Sequence, residues 1–261
     1  MIKIEKIMAQ LETEFIGREI HNFGKLSSTN TTAKEQAEKG AKEGTTIIAE
    51  TQTSGKGRLD RLWVSPRGGV WLSIILRPRI DPEDASKITL TTAVAVTRIL
   101  RRLYNVTAEI KWPNDVLIDN KKVCGILTEA KLRGKTVNFV VVGIGINANF
   151  SIQALPEDLQ TTATTLKEML GKNVDREKLT AALLKEFEDY YKLFIERKFE
   201  RLLTEWRSMA GFLGKEVEIT SFKEKVRGVA VDVDENGALV IELKNGERRK
   251  VLSGDVTVRG A

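Results

Sequence analysis

Gln52-Thr-Ser-Gly55-Lys56-Gly57-Arg58 follows residues 45–50, a short apolar run that reads as a buried strand. Two glycines and two cations share this loop. Without a Cβ, glycine lets backbone N–H groups converge on an anion. Arg58 adds a planar, two-pronged donor for phosphate or carboxylate. Further on, Lys111-Trp112-Pro113-Asn114-Asp115 leads into Lys122-Val-Cys-Gly125. Pro113 fixes its own φ and holds Trp112 extended, so Lys111 precedes a stiff corner. Both lysines have apolar flanks (Ile110 and Trp112; residues 123–127), and a partly buried ammonium needs an anionic partner. Taken singly, these are a solvated hairpin and two surface lysines. Together they read as a site for a highly anionic small substrate. Asn114 and Asp115 either satisfy backbone groups at the corner or face that site, and the sequence leaves both readings open.

Outward from the loop, the hydrophobic period alternates. The chain up to about Asn22 holds a short amphipathic helix candidate (Ile4, Ile7, Met8, Leu11, Phe15) and an irregular lead-in. Ser28-Thr29-Asn30 supplies cap-type side chains ahead of a helix carrying Ala33 and Ala37, and Gly40 ends it. Residues 70–76 read as a strand, and Asp81-Pro82 starts a long helix with Ile88, Val94, Ile99 and Leu103 on its apolar face. Strands follow at 116–118, 122–130 and 136–146, and the helical period returns over 176–209. After Gly211 the runs 216–220, 226–233, 239–243, 248–251 and 256–259 are separated by turn signals, Glu235-Asn236-Gly237 and Lys244-Asn245-Gly246. The expectation is an α+β fold: a mixed β-sheet backed by helices over residues 1–210, then a small antiparallel barrel over 211–261.

The bulk numbers exclude several classes. At 261 residues the chain can build one large core plus a small satellite. It holds no apolar run of about eighteen residues, so no membrane span is expected, and its first residues lack the pattern of a signal peptide. One cysteine, Cys124, allows no internal disulfide and fits a reducing cytoplasm. The net charge of +6 is modest and is spread over helix faces such as residues 178–188, so a nucleic-acid-binding role has little support. A single histidine, His21, and the single cysteine rule out a zinc cage built by the protein and disfavour Ser–His or Cys–His catalysis.

Two familiar phosphate motifs fail. The glycine-lysine loop lacks the Lys-Ser/Thr pair that opens a helix in a Walker loop, and Gly143-Ile-Gly145-Ile-Asn147 has neither a third glycine nor a helix behind it. What remains is electrostatic catalysis, with cations and backbone dipoles stabilising charge on phosphate oxygens.

As an ordered set, Ser28-Thr29-Asn30, the Gly-Lys-Gly-Arg loop with Trp63, Lys-Trp-Pro-Asn-Asp, Lys-Val-Cys-Gly-Ile, Gly-Ile-Gly-Ile-Asn and the final β module resemble the biotin–protein ligases. The resemblance covers nearly the whole chain. It implies a class II synthetase-like catalytic fold with an SH3-like C-terminal barrel, ATP and biotin as substrates, and Mg²⁺ on the nucleotide phosphates. Biotin would be activated to biotinyl-5′-AMP and passed to one lysine of a biotin carboxyl carrier protein.

By motif position, the resemblance implies that Ser28, Thr29, Asn30, Gln52, Gly55, Arg58, Lys122 and Gly125 bind biotin. Lys56, Gly57, Arg58, Arg61, Trp63, Lys111, Asn114 and Asn147 would bind ATP or the adenylate. Lys111, Arg58 and Lys122 would carry the catalytic charge, and Asp115 is a candidate for positioning the acceptor amine. Two positions depart from the family pattern: Lys56 stands where arginine is common, and Asp60 where glycine is common. The short N-terminal lead-in suggests a monofunctional ligase without a DNA-binding domain, and sheet-edge pairing suggests a homodimer. The rival readings are a lipoate–protein ligase of the same fold and a basic RNA- or protein-binding module. The Arg-Arg-x-x-Gly-Gly stretch of the lipoate enzymes follows neither Arg101-Arg102 nor Arg248-Arg249.

Overall fold

The structure, a computed structural model, describes residues 1–221 and 225–258. After α1 (Ile4–Met8) come β1 (Ile20–Phe23), α2 (Thr29–Glu38) and β2 (Thr46–Ala49). A hairpin of β3 (Gln52–Lys56) and β4 (Leu62–Ser65) precedes β5 (Val70–Leu76) and α3 (Ala85–Tyr104). Then follow β6 (Ala108–Lys111), β7 (Asp115–Ile118), β8 (Lys121–Arg133) and β9 (Thr136–Ile146). Short helices α4 (Glu157–Gln160) and α5 (Leu166–Leu170) lead to α6 (Arg176–Ile195) and α7 (Phe199–Met209). The last strands are β10 (Glu216–Thr220), β11 (Lys225–Val233), β12 (Leu239–Glu242), β13 (Arg248–Val251) and β14 (Asp255–Val258).

The main sheet has seven strands in the order β1-β2-β5-β9-β8-β7-β6, with β1 and β2 parallel and the other pairs antiparallel. Every residue of β5 is buried, which is why its sequence is apolar almost without a break. Alternation then divides the sheet. Leu72, Ile74, Val140, Val142 and Ile144 join the large core against α3, α6 and α7. Ile47, Ile75, Phe139 and Val141 face the other way and pack under Ala33 and Ala37 of α2.

Helix α2 covers only part of that second face. Beyond its N-terminus the register lines up one cross-strand row: Trp71 opposite Gly145, Gly145 opposite Gly125, Gly125 opposite Asp115, and Asp115 opposite Lys111. Ser73, Gly143 and Leu127 form the adjacent row. Large side chains at one end, glycines in the middle and charges at the other make a trough across five strands. This trough is the candidate site.

The C-terminal strands form an antiparallel sheet, β13-β12-β11-β10-β14. Its two edge strands, β13 and β14, do not pair with each other among the described residues. The turn at Glu235-Asn236-Gly237 is held by Asp234, whose Oδ1 accepts the N–H groups of Asn236 and Ala238. Trp112 Nε1 donates to the Gly237 carbonyl at 3.1 Å, so the Trp-Pro corner also fastens this sheet to the first. The expected last strand ran to Arg259, which lies outside the described residues.

Three local expectations are corrected. The N-terminal apolar pattern is helical only over Ile4–Met8, because the buried Glu188 carboxylate captures the N–H groups of Glu14, Phe15 and Ile16. The expected helix at Asp81-Pro82 begins instead at Ala85, after a 3₁₀ turn at Pro82–Asp84. The helical stretch 176–209 is two helices, broken where Arg197 adopts a φ of 59°. No described helix is long and apolar enough to cross a membrane.

Candidate active site

The trough opens into a cavity of about 490 Å³. Its floor consists of glycines because side chains already lie on it. A Cβ on Gly125 would come within 2.7 Å of the Trp63 ring, and one on Gly145 within 2.5 Å. A Cβ on Gly143 would meet Asn30 Oδ1 at 2.2 Å. The Gly-x-Gly pair that failed as a dinucleotide fingerprint is therefore a floor for an indole and an amide. Trp63 Nε1 is buried without a hydrogen-bond partner among the described residues. Lys122 Nζ lies 5.1 Å from the centre of the Trp63 ring and 2.7 Å from Asp115 Oδ1.

The β3–β4 hairpin forms the wall opposite. Gly57 N–H donates to the Arg61 carbonyl at 2.7 Å, and Leu59 and Asp60 at the tip are both left-handed (φ 54° and 57°). Arg58 Nη1 donates to Asn114 Oδ1 at 3.2 Å and to the Gly254 carbonyl at 3.3 Å. Arg61 Nη2 meets Asp255 Oδ2 at 2.5 Å. Burial lowers the Arg58 pKa from its ordinary value, while Asp255 and Asp115 pull against that shift. The cavity is lined by five cations (Lys56, Arg58, Arg61, Lys111, Lys122) and two carboxylates (Asp115, Asp255), an imbalance suited to an anion.

At the other end, Ser28, Thr29 and Asn30 line the cavity from the start of α2. They were expected as caps, yet Ser28 makes no side-chain cap hydrogen bond. Thr29 and Asn30 spend their side chains on the floor: Ser73 Oγ lies 2.8 Å from Thr29 Oγ1 and 2.6 Å from Asn30 Oδ1. Gln52 Oε1 accepts the Thr29 N–H at 2.7 Å, and Gln52 Nε2 donates to Ser65 Oγ at 2.7 Å. Asn147, at the end of β9, donates to the carbonyls of Thr164 and Lys122 and so ties the 161–164 segment over the cavity.

The structure gathers every sequence-predicted site residue around this one cavity except Gly55. A Cβ there would strike the Trp63 carbonyl at 2.3 Å, so Gly55 serves the close approach of β3 to β4. Asn114 does both things left open for it. Its Nδ2 donates to the Ile126 carbonyl at 2.8 Å, holding the corner, while its Oδ1 receives Arg58.

A family model described as the biotin/lipoate A/B protein ligase family matches residues 23–147, and one for the biotin protein ligase C-terminal domain matches 212–259. The bifunctional ligase/repressor of Bacillus subtilis is 37% identical over 247 residues, covering 94% of this chain and 76% of that protein. The chain belongs to the biotin–protein ligase family. The biotin–[acetyl-CoA-carboxylase] ligase of Mycobacterium tuberculosis is 31% identical over 246 residues, covering 92% of this chain and 88% of that ligase. The biotin protein ligase of Aquifex aeolicus in complex with biotin and ATP superposes with a TM-score of 0.80, at 31% identity, covering 94% of this chain and 100% of that one. The α+β fold, with its helix-backed mixed sheet and C-terminal β module, is that of these ligases.

Sequence reading of this family member missed Asp255, Gly143 and Gly145. The glycines carried a usable signal: two small residues at period two in an otherwise β-branched strand. Asp255 carried none, because only the docking of the C-terminal sheet brings it to the cavity.

Proposed function

We propose that this cavity performs both steps of biotin ligation, with the site residues in the roles that follow. In the first step a biotin carboxylate oxygen attacks the α-phosphorus of ATP. The new O–P bond replaces the bond to the β-phosphate oxygen, and pyrophosphate leaves. Carboxylate and triphosphate repel each other, so cations must hold both. Arg58 and Lys122 take the carboxylate and the adenylate phosphate, and Lys111 stabilises charge at phosphorus. In the second step a neutral lysine amine of the acceptor attacks the acyl carbon; the new C–N bond replaces the bond to the phosphate oxygen, AMP leaves and the amine's surplus proton passes to solvent, with Asp115 holding that amine.

The single observation that carries this reading is the register row from Trp71 to Lys111. It places an apolar, glycine-floored slot beside a cluster of cations, matching a ligand with a neutral ring system at one end and phosphate at the other. Ser28, Thr29, Asn30, Gln52 and Gly125 receive the ureido ring end. Trp63 packs on the adenylate, with Lys56, Gly57 and Arg61 along its phosphate. Asn147 faces the adenine edge, and Asn114 holds Arg58.

No group of three metal-ligating side chains occurs among the described residues, so Mg²⁺ would be carried by the nucleotide phosphates and neutralise part of their charge. We further propose residues 1–210 as the catalytic unit and 211–261 as the satellite. The acceptor is a biotin carboxyl carrier domain, the setting cytoplasmic and the working form a homodimer.

Biotin-dependent exchange of radiolabelled pyrophosphate into ATP tests the first step. Exchange is expected with biotin and not with lipoate, and the reverse preference would overturn the reading.

A further inference from the structure

Behind the α2 residues at the cavity runs a chain of hydrogen bonds whose direction is set at its far end. Glu129 of β8 accepts from Lys34 Nζ at 2.7 Å through Oε1 and from Asn30 Nδ2 at 2.8 Å through Oε2. An ionised carboxylate only accepts. Burial pushes the Glu129 carboxyl up, but the hydrogen bonds from Lys34 and Asn30 outweigh it and hold the group below its ordinary range. Asn30 must therefore present its NH₂ to Glu129, where it also reaches the Leu127 carbonyl at 3.3 Å. Its Oδ1 is left as an acceptor, 2.6 Å from Ser73 Oγ.

Ser73 is wholly buried and has one proton, which goes to Asn30. The 2.8 Å contact between Ser73 Oγ and Thr29 Oγ1 is then one in which Thr29 donates. Among the described residues the other acceptor near Thr29 Oγ1 is Gln52 Oε1 at 3.2 Å, itself fixed as an acceptor because Gln52 Nε2 donates to Ser65. Either way the Thr29 proton is committed inside the protein. Thr29 lines the cavity, and with its proton committed its Oγ1 has only lone pairs to offer a ligand there.

We propose that Ser73 and Glu129, neither of which lines the cavity, are positioning residues that make Thr29 Oγ1 an obligate acceptor. The site then takes a ligand that presents an N–H at that point and rejects one that presents a second acceptor there. This rests on the biotin reading above and deepens it. Specificity for a ureido nitrogen originates at Ser73 and Glu129, behind the contact. A pocket built to receive a donor rejects an isostere lacking it far more strongly than one differing only in apolar bulk.

The test uses the full-length chain, biotin and the two cyclic carbamate analogues in which one ureido N–H is replaced by oxygen. Calorimetry gives affinities for wild type, Ser73→Ala and Glu129→Gln, and pyrophosphate exchange gives kcat and KM. Wild type should bind one carbamate on the order of a hundredfold more weakly than biotin. In both variants that gap should shrink by about tenfold, with a raised biotin KM and a kcat within about twofold of wild type. Glu129→Gln is nearly isosteric and guards against misfolding in Ser73→Ala. Equal weakening of biotin and both carbamates, or a loss confined to kcat, would overturn the proposal while leaving biotin ligation intact. Wild type that binds no biotin would remove both.

Discussion

Arg61 and Asp255 are 194 positions apart in sequence and 2.5 Å apart in the fold, an ion pair that joins the β3–β4 hairpin to the C-terminal sheet. Asp255 Oδ1 also stands 3.8 Å from Arg58. The carboxylate is thus a resident anion among groups assigned to a phosphate. Asp255→Asn should therefore tighten nucleotide binding, because an incoming phosphate no longer competes with a fixed charge. The pair is partly solvent-exposed and worth about 0–1 kcal/mol, so the gain should be up to about fivefold. Calorimetry with ATP checks this, and weaker binding would show that Asp255 holds the loop in its binding shape instead.

Lys111 ends the register row and has no carboxylate partner among the described residues. Lys111→Ala should slow biotin-dependent pyrophosphate exchange by about a hundredfold, the usual effect of removing a stabiliser of transition-state charge. The thermal midpoint should hardly move. Near-normal exchange would take Lys111 out of the chemistry.

Gly55 separates a hairpin role from a ligand role. Because a Cβ would collide with a backbone carbonyl that cannot rotate away, Gly55→Ala should itself cost about 1–3 kcal/mol of stability. Extra loss of biotin affinity in Gly55→Asp, beyond that of Gly55→Ala, would restore the direct contact expected from sequence.

The depressed Glu129 carboxyl gives a signed pH effect. Its ionised form is favoured in the fold, so its contribution is complete above the ordinary carboxylate value of 4.5 and is lost as pH falls through the lower folded value. Lys34 and Lys56 are the cations facing it. Biotin affinity should stay flat from pH 7 down to 4.5 and drop only further down, where the folded carboxyl takes up its proton, with the drop moved upward in Lys34→Met. An unchanged profile in Lys34→Met would refute the assignment.

Cys124 is buried on β8, and desolvation raises its thiol pKa well above the ordinary value. Native protein should not react with a thiol reagent at pH 8, and one equivalent should react in denaturant. Fast native labelling would mean that the sheet opens here.

How much of this was readable in the sequence depends on the range of the forces involved. β5 and β9 were legible residue for residue, because burial of all of β5 and of residues 139–146 of β9 calls for a nearly continuous apolar run. The cation-rich loop and the Lys-Trp-Pro corner were legible as chemistry, since glycine, proline and paired cations are costly to leave unused. The break at Arg197 and the early end of α1 were not. The end of α1 depends on a distant group, the Glu188 carboxylate that draws in the backbone at residues 14–16. Nor does local pattern reveal which lysine faces which glycine. That follows from strand register, and register is fixed only when seven strands pair at once.

The central claim, that the glycine-floored row holds an acyl-adenylate, is tested most directly by crystallising this chain with biotin and ATP. Density should lie over Gly125 and Gly145, against Trp63, with its phosphate between Arg58 and Lys122. Density elsewhere, with these residues unchanged and unoccupied, would contradict the account.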